Sequence, residues 1–210
     1  MVRRANRKKR GWQTREERKI LLVATEGNNK TEKNYFTEFN RTQNRYHIVF
    51  AEGNNTDPAK VVTDAAVSSE NRGLELTHGD KAYAVVDTDF GKEKQIQEAR
   101  RLAEKYRVDL LLSNPCFEIW FLLHFRYSTR GYSSNSEVLD EIKNRWSDYE
   151  KNMESFSSIT DRTEIAIENA MQLEKYHEKN NEKVVIERCN PSTNVYKLVE
   201  LINQERGKMN

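Results

Sequence analysis

Two acidic groups end apolar runs in this chain, and their residue types suit hard-cation and phosphoryl chemistry. One run, Ile20-Leu-Leu-Val-Ala-Thr, closes on Glu26-Gly27; the other, Ala82-Tyr-Ala-Val-Val, closes on Asp87-Thr-Asp89. Carboxylate oxygens are the ligands preferred by Mg²⁺ and similar ions. Side chains alternate along an extended segment, so Asp87 and Asp89 share one side. Two carboxylates side by side repel, and a cation between them relieves the repulsion. Glu26, Asp87 and Asp89 are therefore candidate metal ligands. The competing explanation is a polar strand-to-loop junction, where Asp is a common turn former.

Two further residues bear on the same chemistry. Glu118 lies in Pro115-Cys-Phe-Glu-Ile-Trp-Phe-Leu-Leu-His-Phe125, a segment otherwise apolar until His124. A lone buried charge is costly unless it is paired or bound to metal, so Glu118 is either an ion-pair partner or a ligand. His124 reads as a core histidine. Lys30-Thr31 after a Gly-bearing turn invites comparison with a phosphate loop. Ala24 and Asn29 stand where that loop needs glycine, which excludes it. Lys30 and the N–H groups of the following helix remain available to a phosphate.

The elements that must position these residues follow from periodicity. Residues 19–25 read as a buried strand and 31–41 as a helix with Tyr35, Phe36 and Phe39 on one face and Thr31 as its cap. Residues 46–51 read as a second strand, and a helix follows Asp57-Pro58. A third strand spans 81–86, a helix 92–107, a fourth strand 108–112, and an apolar helix 117–125. This alternation predicts an α/β fold with a mainly parallel sheet flanked by helices. Ligands of such sheets bind beyond the carboxyl ends of the strands, where Glu26 and Asp87 would lie. The remainder is more helical: 136–146, then 161–178 with Asp161 and Glu164 at capping-box spacing. A late strand at 183–186 and a final helix carrying Val195, Leu198, Val199 and Ile202 complete the chain. The predicted organisation is an N-terminal arm at 1–18, an α/β core at 19–125 and a helical C-terminal part at 126–210.

Composition limits the classes. The chain has 210 residues, 36% hydrophobic and 32% charged, which suits a modest core under a heavily solvated surface. No apolar run approaches the roughly 20 residues of a membrane span, and no apolar stretch follows the basic N-terminus as in a secretory signal. Cys116 and Cys189 lie far apart in sequence, and the four histidines show no paired spacing, which argues against zinc. A cytoplasmic protein is expected. Residues 1–19 carry nine Lys/Arg against two Glu, a net +7, while the remaining residues carry a net −5. Arg3, Arg4, Arg7, Lys8, Lys9 and Arg10 are candidate nucleic-acid contacts, the alternative being a solubilising tail.

Several motifs together resemble the RloB family, whose core looks like a Toprim domain. They are Glu26-Gly-Asn-Asn-Lys-Thr-Glu32 with Tyr35-Phe36, Val86-Asp-Thr-Asp89, Asn114-Pro-Cys-Phe-Glu118 through Phe125, and Asn190-Pro-Ser-Thr-Asn-Val195. The resemblance implies a Toprim-like, Rossmannoid fold and a Mg²⁺- or Mn²⁺-dependent nuclease. In that pattern Glu26 serves as general acid or base while Asp87 and Asp89 bind the metal, with Glu118 completing a second site. Lys30 would steady the scissile phosphate. It further implies an effector of anti-phage abortive infection, acting on RNA such as tRNA or on DNA, with a neighbouring-gene ATPase as partner. A non-catalytic module that binds nucleic acid or the ATPase is the main rival. Phosphatases of the haloacid-dehalogenase type also use Asp-x-Asp, but after the first strand, where this chain has Glu26. A DxD glycosyltransferase is the remaining alternative.

Overall fold

The structure, a computed structural model, describes residues 18–27, 30–40, 46–89, 91–180 and 188–207. The basic arm from Arg3 to Arg10 and the late strand expected at 183–186 lie outside these residues. In chain order the elements are β1 (Lys19–Thr25), α1 (Thr31–Thr37), β2 (Tyr46–Phe50), α2 (Pro58–Asn71), a 3₁₀ turn (Leu76–His78), β3 (Lys81–Asp87) and α3 (Glu93–Tyr106). They continue with β4 (Val108–Asn114), α4 (Glu118–Leu123), α5 (Asn135–Arg145), α6 (Ser157–Thr160), α7 (Thr163–Lys179), β5 (Ser192–Thr193) and α8 (Tyr196–Gly207).

The five strands form one sheet in the order β2-β1-β3-β4-β5. β1 to β4 pair in parallel, and β5 runs antiparallel to β4. The chain leaves β1 toward β2 on one side and returns to β3 on the other. The strand order therefore reverses between β1 and β3, and their carboxyl ends open the crevice where such sheets take ligands. This is a doubly wound, Rossmann-like α/β fold, as the alternation of elements predicts.

Strand alternation sorts the core into two layers. Leu22, Ala24, Ala82, Ala84 and Val86 face α2 and α3, where small side chains let Val61, Val62, Ala65, Ile96, Ala99 and Ala103 pack close to the sheet. Leu21, Val23, Tyr83, Val85 and Leu111 face the opposite layer, which the C-terminal helices build together with α1 and α4. Tyr35 is the hub of that layer, meeting Phe36, Phe39, Phe117, Phe121 and Phe156 edge-on at centroid distances of 5.3–6.0 Å. One core thus runs from α1 through α4 into α7 and α8.

Three local differences from the sequence expectations have physical causes. Thr31 sits inside α1, and its hydroxyl accepts the backbone N–H of Asn152 at 2.9 Å instead of capping its own helix. A seven-residue helix is marginal alone, and this one is held from outside. Lys30 N–H donates to Asn152 Oδ1 at 2.9 Å, and Asn34 Nδ2 donates to the Met153 carbonyl at 2.9 Å. α7 starts at Thr163 without a side-chain cap, because Asp161 belongs to the turn that closes α6. Finally, Ser192–Thr193 is a strand where the sequence pattern suggested only a lead-in to the last helix.

Candidate functional site

Glu26 and Asp87 leave neighbouring strands at the reversal point and touch there. The Asp87 N–H donates to Glu26 Oε1 at 3.1 Å. Gly27 then turns the chain away at φ 53°, a left-handed conformation that favours glycine, and its N–H donates to the Asn55 carbonyl at 2.7 Å. On the other strand, Thr88 N–H donates to the Ser113 carbonyl at 2.9 Å and Asp89 N–H to the Pro115 carbonyl at 3.2 Å. These bonds lash Asp-Thr-Asp to the end of β4. Asp89 itself has φ 34°, so the extended alternation expected of Asp-x-Asp breaks at its second member.

Lys92, at the start of α3, reaches back over the crevice. Its ammonium lies 2.8 Å from Asp89 Oδ2 and 3.5 Å from Glu26 Oε2. Asn135, the first residue of α5, donates from Nδ2 to Asp89 Oδ1 at 2.9 Å. Asp89 is therefore gripped on both oxygens. Asn135 Oδ1 is buried and has no hydrogen-bond partner among the described residues.

Behind this rim lies a second, deeper pair of carboxylates. Glu32 on α1 and Glu118 at the start of α4 are each 3% exposed. Tyr149 donates its hydroxyl to Glu118 Oε1 at 3.1 Å. α1 and α4 converge because Tyr35 and Phe36 pack on Phe117, which brings their first turns beside the strand ends.

The electrostatics of the group are those of crowded anions. Burial pushes Glu26 up to about 7, against the opposing pull of Lys92 and the Asp87 N–H. Asp87 is raised well above the usual carboxylate range by burial, and then by Glu32, Glu118, Glu26 and Asp89. The residue keeps a partly open surface, and the neighbouring acids add to the effect of burial. Glu32 is raised by burial and by Glu118, with Lys151 working the other way. For Lys92, burial opposes the charge, but the Asp89 and Glu26 carboxylates outweigh it and raise its pKa. Cys116 is held as a thiol by burial and by Glu118 and Asp87, which disfavours it as a nucleophile.

The residues fit a hard divalent cation by donor chemistry. The donors are all carboxylate oxygens, and burial and four neighbouring anions push Asp87 toward holding either a proton or a cation. Among the described residues no three His, Cys, Asp or Glu side chains converge closely enough to enclose an ion. The ammonium of Lys92 stands in the gap between Glu26 and Asp89.

Of the residues singled out from sequence, the structure brings Glu26, Asp87 and Asp89 to one strand edge. It sets Glu118 behind them, within electrostatic reach of Asp87. Lys30 is exposed at the N-terminus of α1. His124 is buried against Trp120, its Nδ1 donating to the Trp120 carbonyl at 2.9 Å, and burial lowers its pKa to about 4. Sequence reasoning missed Glu32, Lys92, Asn135 and Tyr149 as members of the site. Glu32 carried a usable signal, since Glu32, Tyr35, Phe36 and Phe39 share the spacing of one buried helix face.

The motif Asn190–Val195 plays a different part. Asn190 bridges Tyr132 twice, accepting its N–H at 3.0 Å and donating to its carbonyl at 2.7 Å. Asn194 accepts the Leu112 N–H at 2.6 Å and donates to the Leu110 carbonyl at 3.3 Å. The motif ties the edge of β4 and the approach to α5 together, which fixes the elements that carry Asp89 and Asn135.

A mainly parallel α/β sheet with carboxylates at its reversal point defines a broad class, the Rossmann-like proteins that place ligands at strand ends. Within it the family is specific. The family profile described as RloB-like protein matches residues 21–202, and the chain belongs to that family. No curated protein and no solved structure matches it. No helix among the described residues is long and apolar enough to cross a membrane.

Proposed function

We propose that this protein is a Toprim-type, Mg²⁺- or Mn²⁺-dependent nuclease that cleaves a phosphodiester in nucleic acid, DNA or RNA, tRNA being one candidate substrate. The observation that carries the reading is the meeting of Glu26 with Asp87 at the reversal point of the sheet, backed by Glu32 and Glu118. Asp87 and Asp89 would hold the cation together with Glu26 at the same rim, and Glu118 would complete a second site. A bound divalent ion supplies Lewis-acid neutralisation of the charge on the phosphate oxygens. Glu26, with a pKa near 7, is poised to take or give a proton at the attacking or leaving oxygen. Lys30, exposed beside the same turn, is free to meet the phosphate backbone from solvent. The arm from Arg3 to Arg10 would add sequence-independent grip. In this reading the protein is the effector of an abortive-infection system, restrained by a partner ATPase.

The ion pairs of Lys92 favour one rival, a non-catalytic module in which that lysine permanently neutralises the carboxylates. Incubating the purified chain with total tRNA, single-stranded RNA and plasmid DNA, with Mg²⁺, Mn²⁺ or EDTA, separates the two. The nuclease reading expects metal-dependent cleavage that an Asp87→Ala/Asp89→Ala variant loses. Binding of nucleic acid or ATPase that is unchanged in that variant, without cleavage, supports the module.

A further inference from the structure

Lys92 is placed as a resident counter-ion of the carboxylate rim. It follows the Asp87-Thr-Asp89 turn, and its carbonyl accepts the Ile96 N–H at 3.0 Å, so the first turn of α3 fixes where its side chain begins. From there the side chain reaches back to set the ammonium between Asp89 and Glu26 at 2.8 and 3.5 Å. The two carboxylates come from different strands, and Lys92 is the cation that joins them.

A divalent cation drawn to both carboxylates would need the region between Asp89 Oδ2 and Glu26 Oε2 where the ammonium now stands, 2.8 and 3.5 Å from them. Two cations held side by side there would repel strongly, so the gap favours one or the other. We propose that Lys92 is a built-in competitor that a divalent cation must displace, and that it sets the metal concentration at which the site fills. The inference rests on the reading of this rim as a metal site.

Three details suit an exchange of this kind. The Lys92 side chain is 25% exposed and that of Asp89 is 30% exposed, so the ammonium can swing into water without unpacking the core. Asn135 holds the other oxygen of Asp89 at 2.9 Å, which keeps that carboxylate in place when the lysine leaves. The buried Oδ1 of Asn135, without a partner among the described residues, lies on the same side chain and offers a further oxygen to whatever enters.

The test is Mn²⁺ binding to the full, metal-stripped chain, read by calorimetry and by the electron paramagnetic resonance signal of free Mn²⁺. Lys92→Met removes the competing charge and keeps the aliphatic stem; it is expected to bind Mn²⁺ about tenfold more tightly than wild type. Lys92→Gln is the second variant, with the same expectation, in case the methionine perturbs folding. Lys92→Arg keeps the charge and is expected to stay within about twofold of wild type or bind more weakly. In EDTA, Lys92→Met should melt below wild type, and Mn²⁺ should close that gap. Equal or weaker Mn²⁺ binding by folded Lys92→Met and Lys92→Gln overturns the inference while leaving the metal site standing. No Mn²⁺ binding by wild type or any variant removes the metal reading itself, and the competitor with it.

Discussion

The backbone N–H of Asp87 donates to the carboxylate of Glu26 at 3.1 Å, so the ends of β1 and β3 are joined through a side chain just where the strand order reverses. The bond uses one oxygen of Glu26 and leaves the other to Lys92. Glu26 is thereby positioned by the same strand that carries Asp87. The geometry of the site is a property of the sheet, not of a mobile loop.

This arrangement separates folding from chemistry. Glu26→Gln keeps an oxygen that can accept the Asp87 N–H, so the variant should fold with a melting temperature near that of wild type while cleavage falls by at least 100-fold. Asp87→Asn removes an anion from among four others. Metal-free Asp87→Asn should be more stable than wild type at pH 8 by about 1–3 kcal/mol, since folding the wild type at that pH must either take up a proton at Asp87 or hold its charge among four other acidic side chains. Urea denaturation in EDTA measures that difference. A less stable Asp87→Asn would mean that the carboxylate is a structural partner instead of a strained one.

The pH dependence of the metal-free protein follows from the same crowding. Glu26 is raised from 4.5 to about 7, so its folded form prefers the proton. Its contribution to stability is fully present below about pH 4.5 and is lost as pH rises through about 7. Asp87 and Glu32 shift in the same direction. His124 acts oppositely: its pKa falls to about 4, so its contribution is present above about 6.5 and is lost as pH drops through 4. Stability in EDTA should therefore peak at about pH 4–5, where the raised carboxylates outweigh His124 on the alkaline side, and decline toward pH 8 by on the order of 3 kcal/mol from Glu26 alone. Mg²⁺ or Mn²⁺ should restore most of that loss at pH 8 and little at pH 5.5, because binding requires the ionised carboxylates. Melting curves with and without metal at the two pH values test it. A metal-free profile that rises toward pH 8 would contradict the raised carboxylates.

Much of this was legible in the sequence, and the boundary is physical. Leu21–Ala24 and Ala82–Val86 are buried throughout, so both strands showed as unbroken apolar runs, and the acidic residues that close them marked the strand ends. Lys92 was hidden because its part depends on a side chain that turns back across the start of α3, which periodicity does not describe. Asn135 and Tyr149 were hidden because their partners Asp89 and Glu118 lie 46 and 31 positions away. β5 was hidden for a third reason. It has two residues, too few to show alternation, and an asparagine side chain completes its ladder.

That last feature makes a prediction about what Asn190–Val195 is for. β5 ends at Thr193, and past it β4 would present a bare edge. Asn194 fills the place of a strand residue with its side chain, taking the Leu112 N–H at 2.6 Å and giving to the Leu110 carbonyl at 3.3 Å. Its own N–H donates to the Leu112 carbonyl at 3.1 Å, so three bonds meet at one asparagine. Asn194→Ala leaves the Leu112 N–H and the Leu110 carbonyl without those partners, which costs about 1–3 kcal/mol. The urea midpoint should fall with the slope unchanged, since the same surface is still exposed on unfolding. Asn194→Asp keeps the acceptor and loses the donor, and should fall less. If the motif is scaffold, the folded alanine variant still responds to Mn²⁺ as wild type does. A variant as stable as wild type that no longer responds to metal would move Asn194 from the sheet edge into the chemistry.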